Sequence, residues 1–320
     1  MGSRNSRVHT ARLVVGYATV VVALPYLSLK IVWLAGGTLG VADRAMMHDA
    51  SMIALNAITA GMDLVAIAIA LAFTHSWGLK LPAWLVLPPM WVATGLLVQF
   101  VTGVPVALIA SLLSGINSAP TSTGPVHVWV YALVYPAFAG LGIGLTLSFA
   151  LYSRVRWGQT LQSEFRNEMS GAAQMVHLPL ANAAVVMAAA VAALHLTWAC
   201  GGTVGMPDEL VARRTVSARL LEGINAVTML SAPAGILLMR HRVREGRRFW
   251  VPLSCAWVGS GYLFAWGLWH LVNVLGNTAL VRARPPQMPL INLASLVQLI
   301  AGLVIGVLML LQLAERQPAR

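Results

Sequence analysis

Five ionisable side chains fall inside long apolar stretches of this sequence: Lys30, Asp63, His195, Glu222 and His270. A charge in hydrocarbon is costly and persists where it lines a solute or proton pathway or meets another charge. Asp63 sits near the middle of its stretch, too deep for a short carboxylate stem to reach water. Asn56 and Thr59 precede it at i−7 and i−4 and extend the same helical stripe. The pattern predicts a carboxylate that faces a bundle interior and either pairs with a cation or holds a proton. Glu222, Asn225 and Thr228 form a related stripe later in the chain.

Lys30 and His195 each stand three residues before a tryptophan, Trp33 or Trp198, and so share its helical face. Lys30 lies close enough to the end of its stretch for its ammonium to snorkel to water. His270 and Asn273 are one turn apart beside Trp266 and Trp269. Asp63, Lys30, His195, Glu222, Asn56, Asn225 and His270 are therefore the expected substrate or proton pathway. HExxH, GxSxG and Cys/His ligand spacings are absent from the sequence. His195 and His270 alone do not make the stacked pairs of a haem site, and no metal or cofactor is expected.

These residues must be positioned by helices. A bilayer core about 30 Å thick needs roughly 20 apolar residues per crossing, and eight such runs lie near 12–35, 50–74, 84–113, 127–152, 177–200, 218–239, 249–275 and 289–313. Pro88, Pro89 and Pro105 predict a break in the third. The first run has no small-residue cleavage site and reads as a retained helix. Alternate loops carry 14 Lys and Arg on one side and six on the other, with Lys30 inside a span. The positive-inside rule then places both termini in the cytoplasm of a plasma-membrane protein. The whole chain is 58% hydrophobic and 10% charged, which excludes a water-soluble fold of 320 residues. Its basic excess belongs to loops beside anionic headgroups rather than to nucleic-acid binding.

The sequence also repeats itself at about half its length. WxxGGTxG occurs at Trp33–Gly40 and again at Trp198–Gly205, Asn56 and Thr59 match Asn225 and Thr228, Trp91 and Gly95 match Trp257 and Gly261, and Ala139–Gly144 matches Ala301–Gly306. The expected architecture is an all-α integral membrane protein whose eight transmembrane helices form two parallel-oriented four-helix repeats, 1–158 and 159–320. Ser153 to Gln174 reads as a polar linker. Gly140 with Gly144, and Gly302 with Gly306, give each repeat a GxxxG for close helix packing. WxxGGTxG reads as a helix C-terminus turning into a loop or, alternatively, as an unwound segment presenting backbone groups to a solute. GGTxG lacks the lysine of a phosphate loop, so nucleotide binding is not expected. Cys200 and Cys255 fall near opposite faces as unbridged, buried small residues.

Pro25, Tyr26, Leu29, Lys30, Trp33 and Gly36, with Pro82, Trp84 and the run MWVATGLL from Met90 to Leu97, resemble a group of uncharacterised actinobacterial polytopic membrane proteins. The resemblance implies a membrane location and transfers no site. Parallel halves with polar stripes suit a transporter or permease of a small solute. The alternatives are a membrane-embedded enzyme acting on a lipid or isoprenoid, with Asp63 or Glu222 as general acid, and a structural or accessory subunit. Expected partners are the lipid bilayer, a small solute or lipid, and a second copy or another membrane subunit.

Overall fold

The computed structural model describes residues 2–114, 126–162, 171–240, 250–283 and 288–315. Among these residues there is no β-strand, and eight helices of 25 residues or more carry the chain: α1 (Gly2–Leu34), α2 (Ala50–Thr74), α3 (Ala83–Ser114), α4 (Val128–Gln162), α5 (Gly171–Ala199), α6 (Val216–Arg240), α7 (Trp250–Leu275) and α8 (Pro289–Glu315). Seven of them, all but α7, are long and apolar enough to cross a bilayer. The chain is therefore an all-helical, multi-pass membrane protein. Its helices leave Val14, Val21, Ile58, Leu64, Val227 and Leu303 open to the surroundings, a surface suited to lipid and adverse in water. In α7, four tryptophans with His270 and Asn273 dilute the aliphatic content.

Two boundaries differ from the sequence reading. Helix α3 runs without interruption through Pro88, Pro89 and Pro105, because neighbouring groups in a membrane bundle re-satisfy the backbone that proline frees. The expected linker is helical as far as Gln162, with a kink at Trp157 (φ −125°, ψ 23°). Residues 163–170 of that stretch lie outside the described residues.

The chain divides into two compact units. The first comprises Met1–Ala93, Leu97–Arg156 and Asn273–Arg284. Here α1 packs along α2, and Phe73 of α2 lies against Phe149 and Tyr152 of α4, with ring centroids 5.5 and 4.7 Å away. Where α2 ends, orphan carbonyls collect cations and hydroxyls. Arg12 donates to the Phe73 carbonyl through Nε (2.9 Å) and Nη2 (2.6 Å), Tyr152 donates to the Gly78 carbonyl, and Arg156 bonds the Tyr152 hydroxyl and the Leu81 carbonyl. The second unit comprises Thr94–Leu96, Trp157–Val272 and Pro285–Arg320. Helix α5 packs there against α6 and α8 through a fully buried alanine row, Ala184, Ala188 and Ala192, at the spacing that lets helix backbones close up.

Each unit contains one copy of WxxGGTxG, and both copies fold alike. In the first, Gly36 N–H donates to the Trp33 carbonyl and Gly37 N–H to Val32, a Schellman closure of α1 with Gly36 at φ +86°. In the second, Gly201 N–H donates to Trp198 and Gly202 N–H to Thr197, with Gly201 at φ +100°. The tryptophan then staples the turn. Trp33 Nε1 donates to the Leu39 carbonyl at 2.8 Å and Trp198 Nε1 to Val204 at 2.9 Å. These backbone groups are consumed in capping, the geometry of a helix C-terminus turning into a loop. Arg214 adds bonds to the Gly202 and Trp198 carbonyls. Cys200 and Cys255 are free, but neither is buried: Cys200 is exposed just beyond α5 and Cys255 is half-buried.

The repeated GxxxG glycines meet different partners. A Cβ on Gly144 would stand 2.2 Å from Thr19 Oγ1, and one on Gly140 2.9 Å from a Val22 methyl, so α4 sits tightly on α1. A Cβ on Gly302 would stand 2.3 Å from the Phe264 nitrogen, so α8 sits on α7, with Gly306 buried one turn on. In the first unit, the turn after α7 clasps the start of α2: Arg282 Nη2 meets Asp49 Oδ2 at 2.5 Å, and Ala279 N–H donates to Ser51 Oγ at 2.8 Å. The Ser51 hydroxyl and amide, then Arg282, hold the Asp49 carboxyl below its ordinary range.

Two predictions follow from these contacts. Gly144→Leu is expected to destabilise the protein by about 1–3 kcal/mol through overpacking, whereas Gly61→Ala, with open space around its Cβ, leaves it unchanged or slightly raised; thermal unfolding in detergent compares them. Because the folded Asp49 pKa is lowered, its contribution is present at neutral pH and is lost as pH falls below the ordinary carboxylate value of about 4. Amide exchange at Ala279, corrected for intrinsic rate, should accelerate over that interval, and an Arg282→Gln variant should show the faster exchange already at neutral pH.

Candidate functional site

Lys30 lies four residues before the end of α1, and Asp63 is near the middle of α2. The α1 cap turns the chain back, which makes the two helices antiparallel neighbours. Side chains lean toward the N-terminus of their own helix, so the lysine stem runs down α1 while the aspartate leans up α2 to meet it. Lys30 Nζ donates to Asp63 Oδ2 at 2.7 Å, with side-chain exposures of 1% and 9%. The snorkelling expected of Lys30 does not occur: its ammonium is turned inward.

Tyr26, one helical turn before Lys30, supplies a second contact. The ammonium lies 4.0 Å from the centre of its ring, where the π face attracts a cation with roughly 0.5–2 kcal/mol. Tyr26 is itself held edge-on by Phe138 of α4 (5.0 Å) and by Trp33 (6.3 Å). Phe138 touches Phe100 of α3 (4.8 Å), Phe100 touches Tyr135 (5.7 Å), and Tyr135 touches Tyr131 (5.7 Å). One ammonium, one carboxylate and a continuous run of rings thus occupy the first unit. The signal in the sequence was Tyr26 at i−4 from Lys30, a spacing that the polar-residue reading passed over.

The second unit holds a pair of another kind. His195 Nδ1 lies 2.5 Å from Glu222 Oε2, with side-chain exposures of 14% and 24%, and the Trp198 ring stands edge-on to the imidazole at 4.9 Å. The base occupies the same motif position as Lys30. The acid does not: Glu222 precedes Asn225 by three residues, whereas Asp63 follows the matching Asn56 by seven. One turn from Glu222, the buried Oδ1 of Asn225 accepts no hydrogen bond.

The remaining expected residues stay apart from these pairs. Thr59 and Thr228 donate back to carbonyls of their own helices, at 2.8 Å to Leu55 and 2.8 Å to Ile224. Asn56 is half-buried in α2. His270 Nε2 donates to Asn292 Oδ1 at 2.8 Å, joining α7 to α8, and Asn273 accepts from Thr278. Among the described residues, no three His, Cys, Asp or Glu side chains converge as metal ligands would.

Chemically, the Lys30–Asp63 site is a net-neutral cation cradle, already filled by a tethered ammonium. Removing either partner leaves the other as an uncompensated buried charge, whereas replacing both by apolar groups removes the desolvation penalty as well. Lys30→Met or Asp63→Leu alone should therefore cost about 3–5 kcal/mol, and the double variant Lys30→Met/Asp63→Leu should be as stable as the parent or more so. A double-mutant cycle read by thermal unfolding checks this. Compared with protein-family models, curated proteins and solved structures, the chain matches none.

Proposed function

We propose that this protein is a proton-coupled transporter of a small solute, built from eight membrane spans in two parallel-oriented repeats. Both termini lie in the cytoplasm and the location is the plasma membrane. The observation that carries the reading is the enclosed Lys30–Asp63 pair. Two opposite charges in an apolar bundle gain little for stability over an apolar pair of similar volume. They are, however, what a carrier needs in order to exchange a proton or cation at membrane depth.

Several features support the repeat. The two tryptophan-stapled turns share their hydrogen bonds and their left-handed glycines. Each is preceded by a base that meets an acid on the next long helix. Gly95 and Gly261, matched by the repeat, lie against each other within the second unit, where a Cβ on Gly95 would be 2.1 Å from the Gly261 oxygen. An eighth span then falls to α7, whose tryptophans suit the bilayer interface.

The test uses the full chain in liposomes that enclose a pH-sensitive dye, challenged with a panel of amines, amino acids, sugars and inorganic ions. At least one solute should drive saturable proton movement with the parent protein, and the stable Lys30→Met/Asp63→Leu variant should abolish it. Equal proton movement in that variant, or none with the parent across the panel, overturns the reading. Labelling of an Arg244→Cys variant by an impermeant reagent in intact cells would reverse the orientation.

A further inference from the structure

We propose that the solute is a monovalent organic ammonium, bound by Asp63 and Tyr26 in the place that the Lys30 ammonium now fills. The inference rests on the transport reading for its purpose, but its site stands on geometry alone. A carboxylate oxygen 2.7 Å from a cationic nitrogen and an aromatic face 4.0 Å away are the two contacts by which proteins recognise ammonium groups. Here the cation is supplied by the chain itself, so Lys30 acts as a tethered competitor for the site.

Three observations point to an amine and away from a metal ion. The surroundings are rings: Tyr26, Phe138, Phe100 and Tyr135. Hard cations want several oxygens, and the nearby Thr59 hydroxyl is already committed to Leu55. These rings pack one against the next as far as Tyr135, which is 39% exposed. Finally, the fold does not require them. At the positions that the repeat matches to Tyr26, Tyr131, Tyr135 and Phe138, the second half has Val191, Leu293, Val297 and Ile300.

Charge balance fixes the exchange. The occupied site holds one positive and one negative charge. When R–NH3+ pairs with the Asp63 carboxylate, Lys30 gives its proton to water and becomes a neutral amine. One cation enters, one proton leaves, and the site stays neutral. Tyr26 faces the pair from the helix of Lys30, and its phenol in turn interacts with Asp63 and with the Tyr131 and Tyr135 phenols of α4; α3 carries no charged residue along its length. Lys30 is thus the group whose proton the incoming cation displaces.

The experiment is calorimetric titration of the purified full chain with n-propylammonium, tetramethylammonium and sodium, in buffers of differing ionisation enthalpy. The parent should bind propylammonium and release about one proton per cation, with affinity rising about tenfold per pH unit, as for competition with one proton. Lys30→Met should bind it at least tenfold more tightly, the proton displaced now coming from the Asp63 carboxyl, Tyr26→Leu should bind at least tenfold more weakly, and Lys30→Met/Asp63→Leu not at all. If Lys30→Met is too unstable to titrate, Lys30→Ala serves instead: propylammonium should raise its Tm but not that of Lys30→Ala/Asp63→Leu. The proposal falls if neither single variant responds to an ammonium ion, if sodium binds and the amines do not, or if the parent binds without releasing a proton. Binding with proton release but no flux in liposomes would remove the transport reading and keep this site. Proton-linked flux of another solute without ammonium binding would do the reverse.

Discussion

One buried ion pair sets the terms for the rest of the first unit. Lys30 and Asp63 bring two charges into an apolar bundle, and the cost is tolerable only while they stay within hydrogen-bonding distance of each other. That requirement fixes the register of α1 against α2, because a shift of one residue would turn one partner out of reach. It also explains why the contacts around α1 are stiff. Gly140 and Gly144 draw α4 against it with no room for a Cβ, Arg12 ties its early turns to the end of α2, and a Schellman turn with a tryptophan staple closes its far end.

The second unit applies the same plan with softer chemistry. An imidazole replaces the ammonium, the acid stands on a different turn, and both are more open than their counterparts. The first pair has an aromatic face over its cation and near-complete burial. The glycine pairs diverge too: those of α4 meet α1, while Gly302 of α8 meets α7. The two halves of the sequence carry the same turn motif, and the polar groups beside it differ between the units.

Much of this was legible in the sequence for a plain reason: a bilayer allows little besides long helices, and apolar runs show where they lie. The apolar run near 50–74 coincides with α2, which Asp49 caps at its start. Prolines misled at α3, since a proline signal calibrated on soluble helices overstates its effect in a packed membrane bundle. The reach of α4 into polar sequence was hidden because helix α4 continues past the apolar run. The ionisable residues were found one by one, and Asp63 was expected to pair with a cation, but which one was not fixed. Lys30 and Asp63 are 33 residues apart on different helices, and only the antiparallel return of the chain brings them together. The inward turn of Lys30 was equally out of view, because nearness to a helix end favours snorkelling only where no acid lies below it.

The tryptophan-stapled turn between α1 and α2 bears on how the protein enters the membrane during synthesis. An isolated lysine or aspartate at the centre of an inserting helix costs about 2.5–3.5 kcal/mol on insertion scales. The cap that follows Lys30 is closed by local bonds, from Gly37 back to Val32 and from Trp33 forward to Leu39, and the turn meets a later segment only beyond it, where Gly40 accepts from His127. Once α2 has emerged, the two charges can neutralise each other within a single helical hairpin. The unit of insertion is then the hairpin rather than the helix, and the penalty is met before α3 leaves the ribosome.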